Sequence, residues 1–244
     1  MNNIKAVLQY DGTEYHGWQI QPGRRTIQGV LTEALSQLDQ RPVIVHGAGR
    51  TDAGAHAEGQ VANFFLSRRW ATADLIRAIN ACLPRDIRVV EASPVDPLFH
   101  ARFDAKAKTY RYRFYLGRVV SPFLYRYVYP CFYPLNVSRM QEACSLLLGK
   151  HDFAAFSSRS QERSTTIRVI TEITLVESDH MLELCVTADG FLRAMVRRLA
   201  GTLQEVGRGR MSLEQVAALL HHDPAVEAGP TLPAQGLTLL RVDY

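Results

Sequence analysis

The chain has 244 residues, of which 47% are hydrophobic and 21% charged, and its formal net charge is +4. This apolar content is enough for a full core in one large domain or two moderate ones. No apolar run approaches the roughly 20 residues that span a bilayer, and the first residues lack the basic and apolar order of a signal peptide. We therefore expect a globular, cytoplasmic protein with no membrane segment.

The basic residues are mostly arginine, since all but four of the 28 Lys and Arg residues are Arg. Arginine suits planar, bidentate contact with phosphate, but a biased genome composition gives the same enrichment without any function. The four cysteines are widely spaced and form no C-x-x-C pair, which is typical of reduced core thiols. Composition alone leaves a nucleic-acid partner open.

The first hundred residues predict the element order β-α-β-β-α-β. Alternating polarity and helical spacing of apolar residues distinguish the strands from the helices. The predicted elements are a strand over Asn3–Tyr10, a helix over Thr26–Leu38, strands at Val43–Val45 and Val61–Leu66, a helix from Thr72 to Leu83, and a strand over Ile87–Val95.

The second half repeats this order with one additional helix. The predicted elements are a strand over Ala105–Leu116, a helix over Ser138–Leu148, strands over Ile167–Val176 and Met181–Thr187, helices over Phe191–Val206 and Ser212–His221, and a strand over Leu237–Val242. Two copies of a split β-α-β unit predict an α+β fold of two pseudo-symmetric ferredoxin-like (βαββαβ) halves. We expect largely antiparallel sheets that meet at a central cleft, and the predicted halves are residues 1–101 and 102–244.

A glycine-rich segment, Gly47–Gly59, lies between two apolar strands of the first half and contains Arg50 and Asp52. Glycine allows the backbone to approach a ligand closely, and an arginine two residues before an acid can hold a phosphate and keep that acid ionised. Asp52 is therefore a candidate reactive carboxylate. An ordinary turn-forming Asp-Ala-Gly would give the same pattern.

The passage Arg102–Arg126 is the most basic in the chain, with seven cationic residues against one acid. Tyrosines, including Tyr110, alternate with these cations on a predicted strand, which is compatible with RNA held by its backbone and stacked by its bases. A solvated face over an aromatic core explains the pattern equally. Arg193 and Arg197 are one turn apart on the following predicted helix, where Arg197 could reach a cleft or simply be solvated.

Asp52 could act as a nucleophile, a general base or a metal ligand. The spacings of His46, His56 and His100 match no known metal-ligand pattern, so no metal site is predicted. A serine or cysteine hydrolase is equally unsupported, since no nucleophile lies in a recognised motif.

Gly49–Gly54 followed by His56 resembles the signature around the catalytic aspartate of tRNA pseudouridine synthases, specifically the TruA family. Further motifs of that family extend along the whole chain in order. They are Tyr10–Thr13, Tyr15–Gln19, Phe99–Phe103, Lys108–Tyr112, Gly149–Phe153, Met195–Arg197 and Gly236–Leu237. The valine usual after Asp-Ala-Gly is Ala55 here, which is a conservative change.

The resemblance implies isomerisation of uridine to pseudouridine at positions 38, 39 and 40 of the tRNA anticodon stem-loop, with no cofactor. It implies that Asp52 is the essential carboxylate and that Tyr110 stacks on the flipped uracil. It further implies that Arg50 keeps Asp52 ionised and the nucleotide extruded, that Arg197 is an active-site arginine and that Leu237 walls the base pocket. Like the family, the chain is expected to be a homodimer that binds tRNA.

Two other classes of protein fit parts of the sequence. A non-catalytic RNA-binding or chaperone protein would account for the composition, and a metal-dependent nuclease would account for an acid in an RNA-compatible setting. Asp52 separates the first alternative from an isomerase, and dependence on divalent ions separates the second.

Overall fold

The computed structural model describes residues 2–158 and 165–244. The chain forms two compact units. Unit 1 comprises the chain up to Lys106 together with Thr238–Tyr244, and unit 2 comprises Ala107–Leu237. The last strand of the chain therefore belongs to the first unit, whereas the predicted halves, 1–101 and 102–244, assigned it to the second. Those halves, as domains, stay a prediction.

Unit 1 consists of a sheet and two helices. Its elements are β1 (Asn2–Tyr10), α1 (Ile27–Asp39), β2 (Val45–Gly47), β3 (His56–Leu66), α2 (Thr72–Cys82), β4 (Ile87–Pro94) and the last strand of the chain, β10 (Leu237–Asp243). The strand order is β4-β1-β3-β10, and β2 also pairs with β3. β1 is antiparallel to β3 and β4, while β10 is parallel to β3, with Thr238 opposite His56.

The sequence of α1 shows why this segment is helical and which side it buries. Thr26 is the N-cap, and its side chain accepts a hydrogen bond from the Gly29 amide at 3.2 Å. Ile27, Leu31 and Leu35 recur at helical spacing and are fully buried. Each such burial stabilises the fold by about 1.5–3 kcal/mol, so packing rather than helix propensity holds α1 against the sheet.

Unit 2 contains the remaining elements among the described residues. They are β5 (Ala107–Tyr115), β6 (Tyr129–Pro130), α3 (Val137–Leu147), β7 (Gly149–Asp152), β8 (Ile167–Ser178), β9 (Met181–Ala188), α4 (Met195–Gly207) and α5 (Leu213–Leu220). The strand order is β5-β9-β8-β7, with antiparallel pairing along this path, and β6 pairs with β5 in parallel. A capping box of Ser212 and Gln215 begins α5, where the sequence predicts a helix start.

Several predicted segment boundaries are wrong. The strand predicted over Val61–Leu66 begins at His56, so the end of the predicted glycine-rich loop belongs to β3. The predicted buried strand over Val43–Val45 is observed as Val45–Gly47, and Ile44 is 72% exposed rather than buried. The helix predicted from Phe191 begins at Met195, because Ala194 adopts the left-handed conformation with φ 60°. Arg193 therefore precedes the helix and does not share a helical face with Arg197.

The predicted α+β class with mostly antiparallel strands is confirmed, with five α-helices among the described residues. The pseudo-symmetric ferredoxin-like halves and the central cleft stay predictions. No helix in the described part of the chain is long and apolar enough to cross a membrane.

Candidate active site

Arg50 and Asp52 lie in the acid loop, defined here as residues 48–55 between β2 and β3. Arg50 is exposed, Asp52 is half-buried and Thr51 between them is buried. Ala48 at the start of the loop and Ala55 at its end are also buried. The loop thus has both ends packed in the core and its two charged candidates near the surface.

A buried chain of polar groups anchors the first part of the acid loop. The hydroxyls of Tyr10 on β1 and Thr51 are 2.8 Å apart, and Gln60 Nε2 on β3 donates to Tyr10 Oη at 3.4 Å and to the Gly49 carbonyl at 3.1 Å. Burial raises the pKa of Tyr10 to about 12, against the smaller opposite effect of the hydrogen bonds with Thr51 and Gln60. Tyr10 is therefore a neutral hydroxyl at physiological pH.

The loop that follows β1 lies directly against the acid loop. The Trp18 amide donates to the Thr51 carbonyl at 3.1 Å, and the Gly54 amide donates to the Tyr15 carbonyl at 3.2 Å. Gly17 has φ 83°, and a Cβ there would be 2.6 Å from the Thr51 carbonyl oxygen. Only glycine permits both this conformation and this approach.

Trp18, in the loop that follows β1, lies in the core. The side chain is 2% exposed, and a Cβ on Gly47 would be 2.4 Å from its ring. Trp18 therefore packs under the β2 end of the acid loop as part of the core.

Tyr110, Arg197 and Leu237 belong to unit 2. Tyr110 on β5 is 6% exposed and packs edge-to-face on Phe191, with ring centroids 5.0 Å apart. Arg197 on α4 is half-buried, and its Nε donates to the Leu232 carbonyl at 2.6 Å. Leu237 is the first residue of β10 and is buried.

The alternation of rings and cations on β5 is mostly explained by core packing. Tyr112 and Phe114 are fully buried and pack edge-to-face on each other, with centroids 5.1 Å apart. Arg113, on the opposite face of the strand, pairs with Glu183 at 2.7 Å. For these residues the aromatic-core interpretation is confirmed.

Residues 229–233, here called the carbonyl segment, pack against α4. The Gly229 amide donates to Thr202 Oγ1 at 2.9 Å, and a Cβ on Gly201 would be 1.9 Å from the Pro230 carbonyl oxygen. The segment also accepts a hydrogen bond at 2.8 Å from Tyr112 Oη through the Pro233 carbonyl. Burial, followed by the nearby Tyr129, raises the pKa of Tyr112 well above its ordinary value, so its hydroxyl stays a donor.

Sequence reasoning missed the supporting roles of Tyr10, Gln60 and Tyr112. One signal was available for Gln60, because a long polar side chain inside the apolar β3 sequence must find a buried partner. Within residues 2–158 and 165–244, no three His, Cys, Asp or Glu side chains are grouped as metal ligands would be.

These features define a class of protein. The chain is a mixed α+β protein that presents a carboxylate and an arginine on a glycine loop fixed by buried hydrogen bonds, as a carboxylate-dependent enzyme requires.

Comparison with known proteins identifies the family. Residues 6–104 and 143–244 match the family model described as tRNA pseudouridine synthase. The chain is 44% identical over 245 residues to tRNA pseudouridine synthase A of Citrifermentans bemidjiense, covering 100% of this chain and 98% of the relative. It is 39% identical over 244 residues to the protein of the same name from Thermoanaerobacter sp., with 100% of both chains covered. The chain therefore belongs to the tRNA pseudouridine synthase family, whose members isomerise uridine to pseudouridine in tRNA.

Among solved structures, the chain is similar to one from a Cbf5-Nop10-Gar1 complex. The TM-score is 0.33 at 11% sequence identity, with 96% of this chain and 57% of that chain covered. A likeness at this level does not bear on the function of the chain.

Proposed function

We propose that this protein isomerises uridine to pseudouridine at positions 38, 39 and 40 of the tRNA anticodon stem-loop, with Asp52 as the essential carboxylate. The observation that carries the proposal is the acid loop. It holds the motif typical of the family, lies within the matched residues 6–104, and is fixed by hydrogen bonds on both sides of Asp52.

In this reaction the bond between ribose C1′ and uracil N1 breaks, the base rotates, and a bond from C1′ to C5 forms. N1 gains a proton, and the proton on C5 is released to solvent. An ionised Asp52 suits either of two roles, attack on C1′ or removal of a sugar proton to give a glycal. Both roles need a carboxylate held close to the ribose of a flipped nucleotide.

The other candidates have supporting roles in the proposal. Arg50, two residues before Asp52 on the acid loop, helps keep the target nucleotide extruded. Tyr110 stacks on the flipped uracil, and its edge-to-face contact with Phe191 fixes the plane of its ring. Arg197 contacts the reacting nucleotide, with its guanidinium oriented by the Leu232 carbonyl, and Leu237 walls the base pocket.

The proposal extends to the assembly and its location. The substrate is the anticodon stem-loop of a folded tRNA, bound by a cytoplasmic homodimer without a cofactor. Sedimentation of the protein with and without tRNA measures the number of subunits bound to each tRNA. A monomer that remains fully active at all concentrations would contradict the dimer.

Replacement of the carboxylate tests the reaction. Asp52→Asn and Asp52→Ala should each lower release of tritium from tRNA carrying C5-labelled uridine by roughly 10³-fold or more, the scale on which reacting carboxylates act. Binding of tRNA and the far-ultraviolet dichroism should stay unchanged, because the acid loop is held by other groups.

A matched control is Asp74→Asn, which removes an exposed helix carboxylate paired with Arg77. Its rate should equal that of the unmodified protein. Appreciable turnover by Asp52→Ala would refute the assignment of Asp52, whereas no turnover by the unmodified protein would favour an RNA-binding protein without this chemistry.

A further inference from the structure

Three buried polar side chains, those of Tyr10, Thr51 and Gln60, have no direct part in the proposed chemistry. Their exposed fractions are 4%, 5% and 0%. Burial of polar groups among apolar strands is unfavourable unless each group is hydrogen-bonded, so such clusters are costly parts of a core. The neighbouring positions Leu8 and Ala62 are fully buried apolar residues, which shows that these strands also pack with purely apolar side chains.

Two bonds of this cluster lead to the segment just before Asp52, while Gln60 Oε1 accepts from the Val61 amide at 3.2 Å. Gln60 Nε2 bonds both Tyr10 Oη and the carbonyl of Gly49, three residues before Asp52. Tyr10 Oη in turn bonds the side chain of Thr51 at 2.8 Å. Two strands, β1 and β3, thereby hold one short piece of loop.

The backbone on the other side of Asp52 is held as well. The Asp52 carbonyl accepts from the Ala55 amide at 3.1 Å, and the Gly54 amide bonds the Tyr15 carbonyl at 3.2 Å. With the bond from the Trp18 amide to the Thr51 carbonyl, both flanks of Asp52 are attached to rigid neighbours. A displacement of about 1 Å in a reacting group can cost about 100-fold in rate, so this attachment has a direct catalytic value.

We propose that Tyr10, Thr51 and Gln60 are positioning residues that hold the acid loop so that the Asp52 carboxylate meets the ribose of the flipped nucleotide. This inference rests on the proposed function of Asp52. The residues do not touch substrate. They act through the Gly49 carbonyl and the Thr51 side chain, and their effect is on the rate of the chemical step rather than on tRNA binding.

The decisive comparison uses two tyrosines of unit 1. Tyr10→Phe removes the hydroxyl that links Gln60 to Thr51. Tyr244→Phe removes the hydroxyl of a partly buried tyrosine, which donates to the Ala101 carbonyl at 2.7 Å and not to a residue of the acid loop. The ring of Tyr244, which packs against the core cluster of Ala48, Val61 and Ala101, is kept in this variant. Each variant loses a tyrosine hydroxyl that is hydrogen-bonded within the fold, so decreases in melting temperature of the same order are expected.

The two variants should differ in rate. In single-turnover assays with excess enzyme, Tyr10→Phe should lower the rate of pseudouridine formation about 10-fold or more, with tRNA affinity within about twofold of the unmodified value. Tyr244→Phe should retain the full rate. Thr51→Ser, which keeps a hydroxyl, should restore most of the rate that Thr51→Val loses.

Three outcomes would overturn the inference. They are an unchanged rate in Tyr10→Phe, an equal loss of rate in both tyrosine variants, and equal rates in Thr51→Ser and Thr51→Val. If Tyr10→Phe fails to fold, the comparison of Thr51→Ser with Thr51→Val tests the inference instead. Asp52→Ala, measured alongside, separates the two proposals: an active Asp52→Ala refutes the proposed function, whereas an inactive Asp52→Ala with an unchanged Tyr10→Phe refutes only the positioning role.

Discussion

The acid loop of unit 1 and the carbonyl segment of unit 2 both fix functional side chains in place, but in opposite ways. In the acid loop, side chains from rigid strands hold the backbone that carries Asp52, through Tyr10 and Gln60. In the carbonyl segment, backbone carbonyls of a loop hold the side chains of Arg197 and Tyr112.

This difference determines which changes should be tolerated. A reacting group placed by its backbone depends on every atom that touches that backbone, including glycine hydrogens. A side chain placed by one carbonyl depends mainly on its own donor atoms. The rate should therefore be sensitive to a carbon atom added against the backbone of the acid loop, and to the loss of the Arg197 donor that bonds the carbonyl segment.

Among the changes that compare the two regions, the largest effect is expected from Gly17→Ala. The new Cβ would be 2.6 Å from the Thr51 carbonyl oxygen, at a φ of 83° that side chains rarely adopt. The acid loop must shift, so we expect a rate reduction of about 100-fold and a destabilisation of about 2–4 kcal/mol. Single-turnover assays and urea unfolding measure the two effects.

Gly209→Ala in unit 2 is the matched control, since Gly209 has φ 70° but a Cβ added there would have no described atom within 4 Å. It should cost only about 1 kcal/mol, the strain of the left-handed conformation, and leave the rate unchanged. Equal rate losses in the two variants would contradict the importance of the contact with Thr51.

An intermediate effect is expected from Arg197→Lys. Lysine keeps the positive charge but has no Nε to donate to the Leu232 carbonyl, and it cannot present a planar fork. We expect kcat/KM to fall about 10-fold, or about 1.4 kcal/mol. The control is Arg139→Lys, at a half-exposed arginine 3.7 Å from Glu142, which should leave kcat/KM unchanged. An unchanged kcat/KM in Arg197→Lys would show that the contact with the Leu232 carbonyl is dispensable.

The smallest effect is expected at Asp152, which belongs to neither region and is 2.9 Å from His222 Nε2. Burial alone would raise the pKa of Asp152, but hydrogen bonds from Thr166, the Ala154 amide and His222 together lower it below its ordinary value. Because the folded pKa is lowered, this carboxylate stabilises the fold above the unfolded pKa, near 4, and the contribution is lost as pH falls through the folded pKa.

Asp152→Asn should therefore reduce the free energy of unfolding by no more than about 1 kcal/mol at pH 7, because the pair is partly exposed. The difference should disappear in urea titrations as the pH falls below the folded pKa of Asp152. The rate of pseudouridine formation should not change. A stability difference that persists in acid would assign the effect to packing rather than to charge.

Local features of the fold could be predicted from the sequence, whereas features that depend on distant partners could not. The capping box of Ser212 and Gln215 and the apolar stripe of α1 are complete within one turn or one helix, so their patterns suffice. The start of α4 is set by the left-handed conformation of Ala194. The sequence does not indicate this start, because Ala194 has no side chain that could cap the helix. The parallel pairing of β10 with β3 joins residues about 180 positions apart and leaves no local pattern.

The candidate site also has a part that the sequence predicts and a part that it does not. The motif around Asp52 indicates a reactive acid because it is contiguous in sequence. The groups that hold this motif come from positions 41 residues before Thr51, at Tyr10, and 11 residues after Gly49, at Gln60. Only the pairing of β1 with β3 brings them together, and that pairing is a property of the whole sheet.

The return of the last strand to unit 1 has a consequence for synthesis on the ribosome. β1 occupies one edge of β3, while β2 and β10 share the other, with β10 beside His56 and Ala57 at the end of the acid loop. This part of the edge stays unpaired until residues 107–237 have been made, which takes on the order of ten seconds at ordinary elongation rates. During that interval the nascent chain exposes strand backbone beside its future reactive loop, so a chaperone that shields this edge should raise the yield of active enzyme.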